Sequence, residues 1–213
     1  MKLSTCAALG AIAVTASASA SIRITEVMSS SGTGGTADWF EVTNYGSSAV
    51  DITGWRMDDN SFSFANSVLL SGITSIAAGQ SVIFIEGTSA DVAGFASFWG
   101  GLSGVSVGYY NGSGISFSSS GDGAVLFNAT GTETTARATF GAATGGSSFY
   151  FDLAPNNVGI VSTVGTIGTQ LTFATTGATV NIGSLGTAIA VPAPGAVALL
   201  AAAGVISRRR RAN

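Results

Sequence analysis

Between residues 21 and 190 the apolar side chains never hold a helical period. They come in short runs, alternating or continuous, and each run ends in Gly, Ser or Asn. Such a chain can bury its apolar surface only by pairing many short strands, so the expected class is all-β, a sandwich or barrel. "SIRITEV" alternates, with Ile22, Ile24 and Val27 apolar and Arg23 and Thr25 polar. "SVIFIEG", from Ser81 to Gly87, is a continuous run of the kind a buried strand carries. "DGAVLFNATG" and "ARATFG" read as a strand pair, and "SSFYFDL" and "QLTFATTGATVNIG" supply late strands. "DVAGFASFWG" has room for one short helical turn. Gly is 30 of 213 residues, roughly twice ordinary usage, as a turn-rich chain needs.

The residue types that are missing constrain the chemistry. The first twenty residues, "MKLSTCAALGAIAVTASASA", have a positive Lys2, an apolar stretch from Leu3 to Val14, and small residues at Ala18 and Ala20. This is the pattern of a secretory signal peptide cut after Ala20. The only Cys (Cys6) and the only Lys (Lys2) lie inside it, and His is absent throughout. From Ser21 to Ala190 the cations are Arg23, Arg56 and Arg137, against eleven Asp and Glu, a charge of −8. Disulfides, thiol or imidazole nucleophiles, Schiff-base lysines and His/Cys zinc sites are therefore out of reach. A body this acidic repels nucleic acid, which is bound through Lys and Arg. No cofactor is called for. Carboxylate chemistry is what remains.

Three groups of residues are candidates for it. Asp58, Asp59 and Asn60 form the densest oxygen cluster, readable as a calcium site completed by backbone carbonyls and Asp122, or as a polar hairpin turn. The spacing matches neither an EF-hand loop nor a calcium-binding nonapeptide repeat. Glu26 and Glu41 are either a glycosidase-type acid pair or structural carboxylates that bond strand-end amides or Arg56. Trp39, Trp55 and Trp99, with Tyr109 and Tyr110, are either a sugar-stacking platform or core and edge packing. In "DWFEVTN" alternation sends Phe40 and Val42 to one face and Trp39, Glu41 and Thr43 to the other. Glu41 then faces solvent or a capping network. Gly121-Asp122-Gly123 reads as a tight turn entering a strand with Val125 and Phe127.

Four pieces in order resemble the lamin-tail family. They are Ile24 to Val27; "DWFEVTN" (Asp38 to Asn44) with "VDITGWRMDD" (Val50 to Asp59); "SIAAGQSVIFIEG"; and "ISFSSSGDGAVLFNATG". The resemblance covers Ile22 to Phe140 and extends towards Gly186. It implies an immunoglobulin-like β-sandwich, here assigned to residues 21–187.

The tail, residues 188–213, has a different composition. Val191-Pro192-Ala193-Pro194-Gly195 is a stiff break. An apolar stretch to Ile206 follows, and then Arg208, Arg209, Arg210 and Arg211. The twelve residues from Gly195 to Ile206 would cover roughly 18 Å as a helix, short of the ~30 Å bilayer core, with the arginines on the cytoplasmic side. Proline break, short apolar helix and basic end resemble the PEP-CTERM sorting signal, with Ala193 where that family usually has Glu. The resemblance implies a precursor held transiently at the membrane, then cut by an exosortase-type enzyme after signal peptidase has acted. It also implies a cell-surface or extracellular-matrix location, with exopolysaccharide or other surface proteins as partners. The expected function is a non-catalytic structural or adhesive module. A carbohydrate- or calcium-dependent binding module and a secreted carboxylate-based hydrolase are the alternatives.

Overall fold

The computed structural model describes residues 22–32, 35–100, 102–112, 114–135, 137–151, 158–163, 173–174 and 181–188. All of them belong to one compact unit, Ser19–Val191. The expected signal peptide, with Ala18 and Ala20, lies outside the described residues. So does the expected sorting segment from Val191 through Pro192, Ala193, Pro194 and Gly195 to Arg208–Arg211.

The strands in chain order are β1 (Ile22–Met28), β2 (Trp39–Asn44), β3 (Val50–Asp51), β4 (Arg56–Asp58), β5 (Val68–Ser71), β6 (Ser75–Ile76) and β7 (Ser81–Glu86). A helix, α1 (Val92–Phe98), follows. Then come β8 (Ser106–Tyr110), β9 (Asp122–Phe127), β10 (Ala138–Phe140), β11 (Phe149–Tyr150), β12 (Ile160–Val161), β13 (Phe173–Ala174) and β14 (Ile182–Gly183). Ten of these strands pair continuously in the order β10-β9-β4-β5-β8-β7-β2-β1-β11-β12. The pairs are antiparallel except β7–β8, which run parallel because α1 carries the chain across between them. Two short pairs, β3–β6 and β13–β14, stand apart.

The long sheet folds over on itself into an immunoglobulin-like β-sandwich. One layer is centred on β1, β2 and β7 and the other on β4 and β9. Between them Ile22, Ile24, Val27, Phe40, Val42, Val82 and Phe84 meet Met57, Leu70, Ala124, Leu126, Ala138 and Phe140 in one apolar core. The two ends of the ten-strand order also meet. Thr139 bridges Val158, and the Gly159 N–H donates to the Thr139 carbonyl at 2.7 Å. Above this seam the Phe140 and Phe149 rings stack at 4.9 Å. A Cβ on Gly159 would lie 3.0 Å from the Cβ atoms of both phenylalanines, so the seam needs glycine there.

Local sequence explains the elements. The apolar spacing in β1 jumps from Ile24 to Val27 instead of alternating. A bulge between Ile24 and Glu26 in the β1–β2 register absorbs the extra residue and keeps all three apolar side chains inward. α1 is longer than the single turn expected. Val92, Phe95 and Trp99, at helical spacing, lay one apolar face on the outside of β2 and β7. There Trp39, Ile83, Ile85 and Met28 complete a second core with Phe95, Trp99 and Leu185. The strand after Gly121, β9, is buried on both faces. Ala124 and Leu126 enter the main core, whereas Val125 and Phe127 are buried on the other face, with Phe127 edge-on to Phe64 at 5.6 Å.

Phe40 sits at the centre of the main core, with Phe84 at 5.5 Å, Tyr110 at 5.6 Å and Phe117 at 6.2 Å. Phe40→Ala should cost about 3–5 kcal/mol of unfolding free energy in guanidinium titration. A cost under about 1 kcal/mol would contradict a core organised around this ring.

Candidate functional site: a buried carboxylate pair

Glu26 on β1 and Glu41 on β2 are opposite one another in register. They lie on the outer face of the sheet, where alternation puts them, yet they are 1% and 0% exposed. The segment 181–187 covers them. The Ser184 N–H donates to Glu26 Oε1 at 2.9 Å and the Ser184 hydroxyl to Oε2 at 2.7 Å. The Ser148 hydroxyl makes a further short bond to Oε1, and Ser148 Oγ lies 2.8 Å from the Ser162 hydroxyl. Glu41 accepts from the Thr25 hydroxyl at 2.6 Å and from the Gly186 N–H at 2.5 Å. From Thr25 the hydroxyls of Thr43 and Ser81 continue the polar chain at 3.0 and 2.7 Å. Leu185, between the two bonded residues, enters the second apolar core. Asn181 anchors the start of the segment by accepting the Gly32 N–H at 3.0 Å. A Cβ on Gly183 would lie 2.8 Å from Leu185 Cδ1 and 3.1 Å from Glu26 Oε1, so any larger residue would have to displace the ends of these two side chains.

Among the described residues no cation forms an ion pair with either carboxyl. The ion pair formed among the described residues is Arg137–Glu133, on the surface. Burial pushes Glu41 up from 4.5 to about 8, and the neighbouring Glu26 adds to the rise against the Thr25, Gly186 and Thr187 bonds. Glu26 is raised too, by burial, against its bonds to Ser148 and Ser184. Carboxylates opposite each other on paired strands repel, and removing both from water costs several kcal/mol per ion. Desolvation therefore outweighs the hydrogen bonds, and the pair retains protons at pH values where free glutamates have lost them. Tyr45 is pushed up to about 12, by burial first and then by the charge of Glu41, with Arg23 opposing.

This geometry decides between the two alternatives for Glu41, which faces a capping network and not solvent, and answers the alternatives for the pair. Both carboxylates bond hydroxyls and the backbone of a covering segment. Arg56 instead bonds Ser67 through Nε at 2.8 Å. With both carboxyls sealed beneath 181–187, no polysaccharide reaches them, so the pair is a latch and not an acid–base couple. The aromatic platform is not formed either. Trp39, Trp55, Trp99 and Tyr110 are buried, with Trp39 edge-on to Trp99 at 5.8 Å, and Tyr109 alone of the five is half-exposed.

Asp58 ends β4, and Asp59 and Asn60 lead on into a polar turn. Asp58 Oδ2 accepts the Ser61 hydroxyl and the Ser63 N–H, each at 2.7 Å, and Asp59 Oδ1 accepts the Ser61 N–H at 3.2 Å. The Asn60 N–H donates to Asp122 at 3.1 Å, and Asp122 also takes the Ser118 N–H at 2.6 Å and its neighbour Gly123's at 2.7 Å. These are turn-forming bonds. Among the described residues no group of three or more Asp or Glu is gathered so that it could hold a metal ion. Burial raises Asp59, helped by Asp58 and Asp122. Asp38, nearby, is pushed to about 7 by burial and then by Glu86.

The raised pair makes stability depend on pH with a definite sign. A carboxyl whose folded value exceeds its unfolded one supports the fold fully below the unfolded value and less as pH climbs to the folded one. The midpoint of thermal unfolding should therefore fall between pH 4.5 and about 8, the interval set by Glu41, and level off above it. Glu41→Gln, which cannot titrate, should flatten the profile. Glu26→Ala, which strands the Ser184 N–H, should cost about 1–3 kcal/mol. A midpoint that rises from pH 5 to pH 8 would contradict the assignment.

The family model named Lamin Tail Domain matches residues 15–142. Its start falls inside the expected leader, and β11, β12 and the latch segment lie beyond its end. No curated protein matches the chain. The match spans more than half of the sequence and describes a sandwich of the kind seen here, so the chain belongs to the Lamin Tail Domain family, whose immunoglobulin-like domains are non-enzymatic modules.

Proposed function

We propose that the protein is a non-catalytic structural or adhesive module that works outside the cell. In this reading it is exported through the inner membrane by the leader over residues 1–20. The tail holds it transiently, and an exosortase-type enzyme then processes it near Pro192 to Gly195. The observation that carries the non-catalytic part is the use made of the acids. Glu26 and Glu41 are spent on a latch and Asp58 and Asp122 on turns, in a domain family of non-enzymatic modules. Export and sorting are supported by composition. A body with no Cys, Lys or His, carrying −8, is flanked by a Lys-plus-apolar leader and by a Pro-Ala-Pro break ahead of an apolar stretch and four arginines.

Surface or matrix placement follows from that processing, and the building role from a sandwich whose core is apolar packing in a chain with no cysteine after the leader. Intact-mass spectrometry of the protein recovered from its native host tests the reading. The expected species begins at Ser21 and lacks Arg208 to Arg211. A recovered protein still ending in Asn213 would overturn the sorting part.

A further inference from the structure

Outside the latch, a concavity of about 380 Å³ is lined by residues of β4, β5 and β8. Register explains what lines it. Arg56 is the cross-strand partner of Leu69, and Ser71 that of Tyr109. These four project outward, whereas Met57, Leu70 and Tyr110, the alternate residues, fill the main core. Thr88, just after β7, and Asn111, just after β8, form the rim.

Four properties of this groove bear on an occupant. First, Arg56 is held but not neutralised. Its Nε bonds the Ser67 hydroxyl at 2.8 Å, a second short bond reaches the Ser67 carbonyl, and Phe64 supports the guanidinium at 5.8 Å. Those bonds use two of its five N–H donors, and no described carboxylate lies within ion-pair distance of it. Second, the lining holds no acid, on a body that carries −8. Asp91 stands behind the rim, where it accepts the Thr88 N–H and hydroxyl at 2.8 Å, while the Thr88 oxygen accepts the Ala90 N–H at 3.3 Å and keeps a second lone pair. Third, the 48%-exposed Leu69 and the outer edge of the partly buried Tyr109, which also packs against the second core, offer apolar surface beside the charge. Fourth, β5 and β8 are paired on both edges, so no free backbone ladder is available to a peptide strand.

We propose that this groove is a binding subsite for a uronate residue of an acidic saccharide. The Arg56 guanidinium takes the sugar carboxylate, for which its planar fork is suited. Tyr109 and Leu69 pack on the C–H face of the pyranose, and Ser71, Thr88 and Asn111 meet ring hydroxyls. The volume falls at the small end of ligand sites, in keeping with one or two sugar units. At physiological salt, charges more than about 8 Å away are largely screened, so the acidic body does not cancel attraction inside the groove. The inference rests on the extracellular reading for its ligand, because uronates are surface and matrix sugars, but its test is independent of sorting.

Isothermal titration of the full chain with trigalacturonate and trimannuronate, and with maltotriose as the neutral control, decides it. The expected result is saturable binding of at least one uronate trimer and at least tenfold weaker binding of maltotriose. Leu69→Glu sets a carboxylate opposite Arg56 at an exposed position and should weaken uronate binding at least tenfold without lowering the melting midpoint. Arg56→Gln should do the same if it folds. Arg137→Gln, far along the chain and paired with Glu133, should bind within twofold of the parent. Absence of saturable heat with both uronates, an unaffected Leu69→Glu, or an equal loss in Arg137→Gln would each overturn the proposal. Correct trimming of both ends in the host would still stand in that event, so the two readings fail separately.

Discussion

The structure depends on a shortage of cations. A body with eleven carboxylates and three arginines cannot neutralise its acids in pairs, and two of those acids are drawn into a fully buried layer. The molecule meets the cost with backbone N–H groups, hydroxyls and retained protons in place of ion pairs. Glu26 and Glu41 together gather Thr25, Ser148, Ser184 and Gly186, residues spread over more than 150 positions of sequence. The same bonds fix the position of 181–187 and thereby deliver Leu185 to the second apolar core. The outer face of β1, β2 and β7 is closed by that segment and by α1, so these strands are buried on both sides.

Seen this way, the sandwich is completed by elements that lie beyond the part matched by the family model. β11 pairs with β1 and sets Phe149 against Phe140. Gly159 bonds β10, and the latch seals the carboxylates. An uncovered Glu26–Glu41 pair would be hydrated and charged. Covering it exchanges that hydration for bonds from Ser184 and Gly186, and so ties the end of the domain to its first two strands.

Much of the strand layout was legible in residues 21–141 because alternation, continuous apolar runs and glycine punctuation are local signals. "SVIFIEG" is buried on both faces as β7, and "DGAVLF" and "ATF" pair as β9 and β10. The bulge in β1 left a trace in the Ile24-to-Val27 spacing. The burial of Glu41 left none. Alternation assigned it correctly to the face opposite Phe40, but what covers that face comes from residues 181–187, and no local pattern reports a contact 145 residues away. By type Trp39 and Trp99 fitted either a platform or core packing, and the placement of α1 makes them core. The Arg56–Tyr109 groove likewise depends on β4–β5–β8 register, which strand-level reading does not provide. The inward phase of β9 was not legible, because every position from Gly123 to Phe127 is buried and no polar alternation sets it.

The central claim is that an uncompensated, proton-holding carboxylate pair fastens the end of the domain to its first two strands. Carbon-13 NMR of the glutamate side-chain carboxyls, followed across pH in the folded protein, tests it most directly. The account predicts that Glu41 titrates near 8 and Glu26 above its ordinary 4.5, with both signals shifting when Ser184 is changed to Ala. Titration of both carboxyls at or below 4.5 would contradict it.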